Sequence, residues 1–217
     1  MVRWQLLAGV PEAEAREVLA AARRRRFRRG EVVFHEGDPA DSIHLVITGR
    51  FAVRRATPRG DVAILAVRGP GDAFGELALL GESAPRSATV DALEPAETRA
   101  LARSEFERLR LRRPAVCDVL VALLAADVRR MSDRLLEAFY VSAERRIRRR
   151  LLEVALMYGD EPPVTVPLTQ EDVAALAGTA RATVNRVLRA EAARGTVELR
   201  RGRTIVHDPA ALARRAR

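Results

Sequence analysis

Apolar residues recur along this chain in two rhythms. Over residues 11–22 they fall at Ala15, Val18, Leu19 and Ala22, the three-and-four spacing that lines one face of a helix. Between residues 30 and 101 they gather instead into short runs rich in Val, Ile and Phe, at 32–34, 43–47, 51–55 and 62–67. Turn-forming clusters separate them: Glu36-Gly37-Asp38-Pro39, Thr48-Gly49, Pro58-Arg59-Gly60-Asp61 and Gly69-Pro70-Gly71-Asp72. Such dense punctuation predicts many short strands in a closed roll or sandwich. A further strand is expected near residues 98–102. After it Ser104 opens a short helix, with Glu107 at the capping-box position.

Helical spacing then returns. Pro114 marks a new start, and from about 116 to 138 apolar residues step alternately by three and four through Val121, Leu124, Val128, Met131, Leu135 and Ala138. That is the seam of a two-stranded coiled coil. Packing on the chain's own strands would leave a similar stripe, but the helix is long and the stripe narrow, which favours a dimer. Residues 142–158 predict another helix, buried along Ile147, Leu151, Val154 and Ala155, with Arg145, Arg146, Arg148, Arg149 and Arg150 reaching solvent or, in one or two cases, phosphate. Residues 164–166 read as a short strand. Thr169 caps a helix to about 177 with Asp172 closing the box, Gly178 turns the chain, and a second helix runs over 180–193. Two last strands, at 197–200 and 203–206, make a hairpin with Arg201-Gly202 at its tip. The class is α+β, divided at 1–114, 115–141 and 142–217.

Charge sharpens this picture. The formal net charge is +9, and all 38 basic residues are arginine. A surplus of that size suits a polyanionic partner. The run Arg23-Arg24-Arg25-Arg26-Phe27-Arg28-Arg29-Gly30 reads as a solvated helix end leading into a strand rather than as the binding patch, because it lies far from the other basic cluster. One cysteine, Cys117, excludes an intramolecular disulfide and an iron–sulfur cluster. His35 and His44 lack the His-x-His pairing of a metal-dependent jelly-roll enzyme, so neither a metal site nor a catalytic residue is expected. Glu12, Glu14, Arg16 and Glu17 interrupt the N-terminal apolar run, so no secretory segment is expected, nor a membrane span. A cytoplasmic protein is the expectation.

The chemistry concentrates in residues 74–90, FGELALLGESAPRSATV, where Glu76 precedes Arg86 by ten positions. An arginine can pair with a phosphate diester, backbone N–H groups near Ser87 can add donors, and a carboxylate can accept from a ribose hydroxyl. A structural ion pair between Glu76 and Arg86 is the competing reading. Together with VFHEGDPADSIHLVITG upstream, this stretch resembles both halves of the cyclic-nucleotide-binding domain. The resemblance implies a pocket formed by Gly75, Glu76, Leu77, Arg86 and Ser87, closed by the long helix, which in that family also makes the dimer. The Thr-Ser pair that reads adenine there falls on Met131 and Ser132, so Ser132 alone can donate.

On the second helix of the C-terminal pair, Val184, Val187 and Leu188 turn inward while Arg181, Ala182, Asn185, Arg186 and Arg189 face outward, as a major-groove reader requires. This helix pair and hairpin resemble the winged helix-turn-helix of the Crp/Fnr regulators. That resemblance places the guanine-reading arginines at Arg181 and Arg186 and puts Ala182 where the family usually has Glu. Thr169, Thr183 and Arg203 complete the candidate DNA set. What the two resemblances imply is a homodimeric DNA-binding transcriptional regulator, with a near-palindromic duplex and RNA polymerase as partners. No cofactor is obligatory; cyclic AMP or another cyclic nucleotide is the expected effector. An effector-independent regulator with a vestigial or self-filled pocket is the alternative.

Overall fold

The structure is a computed structural model and describes residues 4–77, 80 and 84–217. Residues 78, 79 and 81–83 of the stretch singled out above lie outside the described residues. A turn of 3₁₀ helix, Gln5–Leu7, and helix α1, Glu12–Ala21, precede the strands. These are β1 Arg23–Phe27, β2 Val32–Phe34, β3 Ser42–Thr48, β4 Phe51–Ala56, β5 Val62–Arg68, β6 Ala73–Phe74, β7 Thr89–Ala92 and β8 Ala96–Ala102. They form two antiparallel four-stranded sheets, ordered β1-β8-β3-β6 and β2-β7-β4-β5.

Strand β3 explains how the roll is layered. His44 and Val46 point one way and Ile43 and Leu45 the other, as a two-residue period dictates. On one side Val46 joins Phe27, Phe51, Phe74, Val90, Ala92 and Ala96 in the core between the sheets. On the other, Ile43 and Leu45 pack with Leu6, Leu101, Phe106, Leu109, Val116 and Leu120 beneath the helices. Covered on both faces, β3 is buried without a break from Ile43 to Val46 instead of at alternate positions.

The arginine run differs from expectation. Residues 23–27 are strand throughout, hydrogen-bonded along β8 at the edge of its sheet. Arg24 and Arg26 share the Glu97 carboxylate on one face, and Arg25 lies over the Phe27 ring at 5.1 Å on the other. Strand pairing and these partners hold the segment extended from its first residue, while Arg23, Arg24, Arg25 and Arg26 stay exposed as the charge pattern predicts. Charged side chains also suit an edge strand, since they discourage pairing with a second sheet.

Helix α2, Arg103–Arg112, begins two residues earlier than the capping box required. Its N-cap is Ala102, with no side-chain cap. Strand β8 runs directly into it, and the Arg103 N–H donates to the Asp41 carbonyl at 2.8 Å, so the first turn finds a backbone acceptor instead of Ser104. Helix α3 spans Pro114–Tyr140, α4 Ala143–Tyr158, α5 Gln170–Ala177, α6 Arg181–Ala193 and α7 Pro209–Ala216. Strands β9 Val164–Val166, β10 Val197–Arg200 and β11 Arg203–Val206 make a third sheet, ordered β10-β11-β9. The chain divides into two compact units, Met1–Arg55 with Ala66–Arg129 and Ala56–Leu65 with Arg130–Arg217.

Helix α4 buries Ile147, Leu151, Val154 and Ala155 as its spacing predicts, but its arginines do not form a solvated face. Arg146 donates to the carbonyls of Val141, Ala177 and Gly178 at 2.8, 3.0 and 3.1 Å. Arg148 pairs with Glu191, Arg149 with Glu137 and the Ala216 carbonyl, and the buried Arg150 with Glu137 and Glu153. Arg145 is the one that stays exposed. Within the winged unit the run is internal scaffolding: carboxylates and helix-end carbonyls from elsewhere in that unit converge on it. No helix among the described residues is long and apolar enough to cross a membrane.

Candidate functional site

Arg86 is placed by its backbone before its side chain. Its N–H donates to the Asp38 carbonyl and its carbonyl accepts from the Gly37 N–H, both at 2.9 Å, which stitches it to the turn between β2 and β3. The guanidinium is 2 % exposed and lies 4.0 Å above the Phe34 ring. Nη1 donates to the Gly75 carbonyl at 3.1 Å, and Nη2 to Asp41 Oδ1 at 3.2 Å and Ser42 Oγ at 3.5 Å. Nε is buried with no hydrogen-bond partner. Burial pushes the Arg86 pKa down and the Asp41 charge opposes it, leaving it below the usual arginine value. Gly75 is required here on two counts. Its φ is +89°, and a Cβ would stand 2.7 Å from Arg86 Nη1.

A cavity of about 350 Å³ borders this arginine, lined by Arg25, Phe34, Asp41, Ser42, His44 and Arg86 among others. His44 is buried and stacked on Phe74 at 5.0 Å, with Nδ1 3.0 Å from Thr98 Oγ1. Burial first, and then the charges of Arg25 and Arg86, push its pKa down to about 3. It is therefore a neutral hydrogen-bonding group at ordinary pH. Among the described residues no group of three or more His, Cys, Asp or Glu could hold a metal ion.

The Glu76–Arg86 ion pair does not form. Asp41 is the carboxylate on Arg86, whereas Glu76 lines a separate small cavity with Gln5, Arg68, Leu120, Leu124 and Asp127. Burial pushes the Glu76 pKa up, against the pull of its backbone hydrogen bond, Arg68 and Arg86. The separation follows from the strand period: His44 faces the Arg86 cavity and Ile43, one residue earlier, faces that of Glu76. Spacing within one stretch could not show that its two charged groups serve opposite sides of a sheet. Asp41 stood in the upstream motif beside Ser42, where only its fold-mediated approach to Arg86 gives it meaning. Leu77 and Ser87 are exposed, as are Met131 and Ser132 on α3.

The second candidate face is built on α5 and α6. Thr169 is the N-cap of α5: its hydroxyl accepts from the Asp172 N–H at 3.1 Å, and Asp172 accepts from the Thr169 N–H at 2.9 Å. Gly178 ends α5 in the left-handed conformation. Val173 and Leu176 of α5 and Val184, Val187 and Leu188 of α6 are buried. That leaves Arg181, Ala182, Arg186 and Arg189 exposed, with Thr183 and Asn185 half-buried. Asn185 Nδ2 donates to Gln170 Oε1 at 2.9 Å, and Arg186 Nη1 to Glu144 Oε1 at 2.7 Å. At the hairpin tip Arg203 stands opposite Arg200 and is exposed. The expected outward set thus shares one helix surface, with Arg203 on the wing of the same unit.

Along α3, Val121, Val128, Met131 and Leu135 are 57–65 % exposed, Leu124 is half-buried and Ala138 exposed. An apolar stripe of that length, uncovered in the single chain, is a surface of the kind that association buries.

Two family models match the chain: a cyclic nucleotide-binding domain over residues 24–113 and a Crp-like helix-turn-helix domain over residues 145–215. The chain is 36 % identical to the cyclic AMP receptor protein of Thermus thermophilus, over 95 % of this chain and 94 % of that one. It is 32 % identical to the CRP-like cAMP-activated global transcriptional regulator of Mycobacterium tuberculosis, over 88 % and 87 % of the two chains. Its fold matches the solved structure of a c-di-GMP responsive global regulator of Xanthomonas campestris with a TM-score of 0.78, covering 91 % of this chain and 99 % of that one. At 20 % identity that likeness is one of fold.

Proposed function

Because the chain belongs to the CRP-like family of transcriptional regulators, we propose that it acts as a homodimer whose grip on near-palindromic DNA is set by a cyclic nucleotide, cyclic AMP foremost. The observation that carries the effector reading is Arg86, a buried guanidinium with an unpartnered Nε beside an open cavity. A phosphate diester is the chemistry that such a donor fits. The names of two relatives support cyclic AMP. In the proposed cycle the ligand's phosphate takes Arg86, Ser87 adds a donor, and Gly75 keeps the backbone close enough to join. Glu76 leaves its own cavity to accept from the ribose hydroxyl, and Ser132 contributes to the base. A ligand shifts the population only if it favours the DNA-competent state, so that displacement of Glu76 is where the two states must differ.

Dimerisation through the stripe Val121, Leu124, Val128, Met131, Leu135 and Ala138 sets two copies of α6 for half-sites about one helical turn apart, ~34 Å. Arg181 and Arg186 read base edges, Arg189 and Arg203 meet phosphate, and Thr169, Ala182, Thr183 and Asn185 complete the surface. The setting is cytoplasmic, with RNA polymerase as a further partner. One observation favours a second, effector-independent reading: Asp41 already occupies Arg86.

Calorimetric titration of the full chain with cyclic AMP and cyclic GMP tests the proposal, paired with DNA affinity at each ligand concentration. The expected result is heat with cyclic AMP, and a loss of about 2–5 kcal/mol of binding in Arg86→Ala. No heat and no change in DNA affinity with either nucleotide supports the effector-independent reading instead.

A further inference from the structure

The geometry points to Glu144, in the first turn of α4, as a positioning residue for DNA readout: it orients the Arg186 guanidinium toward its base. Glu144 stands outside the helix-turn-helix and belongs to no part of the expected DNA surface. Its Oε1 accepts from Arg186 Nη1 at 2.7 Å. Its Oε2 lies 3.8 Å from Arg148 Nη1, one helical turn on. Arg148 in turn is anchored on Glu191, which has no exposed surface and also pairs with Arg215. A chain of charges thus runs from the interior of the winged unit to the tip of an exposed arginine.

Two features make this a positioning device and not a general stabiliser. Arg186 is 67 % exposed and Glu144 41 %, so solvent screens the pair and its worth to folding is small. An exposed arginine samples many rotamers, however, and bidentate recognition of guanine O6 and N7 needs one plane. Nη1 carries two N–H groups; with one on Glu144, the other and Nη2 remain for the base. The outward face of α6 supplies no carboxylate, because Glu191, the one acid on that helix, is buried and Ala182 occupies the position next to Arg181. A carboxylate near the phosphate backbone weakens non-specific binding, so Glu144 trades affinity for discrimination.

The inference rests on Arg186 being a base reader, and the test separates the two. The full chain, with and without cyclic AMP, selects from a duplex library with randomised half-sites, and bound sequences are compared for wild type, Arg186→Ala, Glu144→Ala and Glu144→Gln. The base position whose preference vanishes in Arg186→Ala is the one Arg186 reads. Glu144→Ala is expected to weaken preference there alone, by about two- to five-fold, with non-specific affinity unchanged or raised. Glu144→Gln, which keeps an acceptor, should retain part of it. Thermal melts matching wild type establish that the variants are folded. Undiminished preference in Glu144→Ala, or an equal loss at every position, overturns the inference. If Arg186→Ala loses preference nowhere, the base-reading role of Arg186 fails first and this one with it.

Discussion

Glu191 is a buried carboxylate on which several arginines of the winged unit converge. Its carboxylate has no exposed surface and meets Arg148 at 2.8 Å, Arg215 at 3.1 Å through Nε, and Arg194 at 3.7 Å. Burial pushes its pKa up, but hydrogen bonds from Arg215 and Arg148 outweigh this and hold it below the usual carboxylate value. A depressed pKa means the charged form is bound more tightly in the folded state. The stabilisation is therefore complete above the ordinary carboxylate range and disappears as pH falls through the folded-state value. Glu191→Ala should cost about 3–5 kcal/mol at neutral pH, since it strands Arg148 without its carboxylate. Urea midpoints measured from neutral to acid pH should show wild type descending toward the variant. Parallel curves would mean that Glu191 acts through packing instead. Nothing in the spacing marks this role: on a helical projection Glu191 is one more polar position, and only α7 folding back with Arg215 makes it a hub.

At the scale of elements, α4 shows how arginine can serve as a connector. Arg146 caps the carbonyl end of α3 at Val141 and that of α5 at Ala177 and Gly178. Helix C-termini present unsatisfied carbonyls with a partial negative charge, so one guanidinium meets the needs of both. Arg146→Met should lower stability by about 2 kcal/mol while leaving the slope of DNA affinity against salt unchanged. A slope reduced by about one counterion would return Arg146 to the phosphate-contacting set. The helices themselves were legible from period and caps: Thr169, Asp172 and Gly178 act at both ends of α5 as their types predict. The arginine run in β1 was not, because a strand of charged residues exists only through its neighbour β8, far along the chain.

In the proposed dimer, the exposed stripe of α3 is the surface that brings two copies of α6 to one duplex. Leu135→Glu should yield a monomer in sedimentation, with affinity for a two-half-site duplex lower by about 100-fold or more, because the second half-site loses its effective concentration. Affinity for a single half-site should barely change. A variant that stays dimeric would assign the stripe to packing within the chain. The cyclic nucleotide-binding model matches residues 24–113 and the helix-turn-helix model residues 145–215, and α3 lies between them along the chain.

Sequence by itself determined the kinds and order of most elements, though not β1 or α7, and named the chemistry they could carry. Period distinguishes helix from strand, Gly and Pro mark the turns, and a Gly-Glu…Arg-Ser stretch and an arginine-faced helix supply the candidate groups for both proposed surfaces. Tertiary structure alone decided which charges meet. Ion pairs form between residues whose separation in sequence is arbitrary: Asp41 with Arg86, Glu97 with Arg24 and Arg26, Glu191 with Arg215, Glu144 with Arg186. A local pattern records which face a side chain takes, but not what the fold brings opposite it. With 38 arginines of one chemical type along the chain, the choice of partner rests with the packing of distant elements.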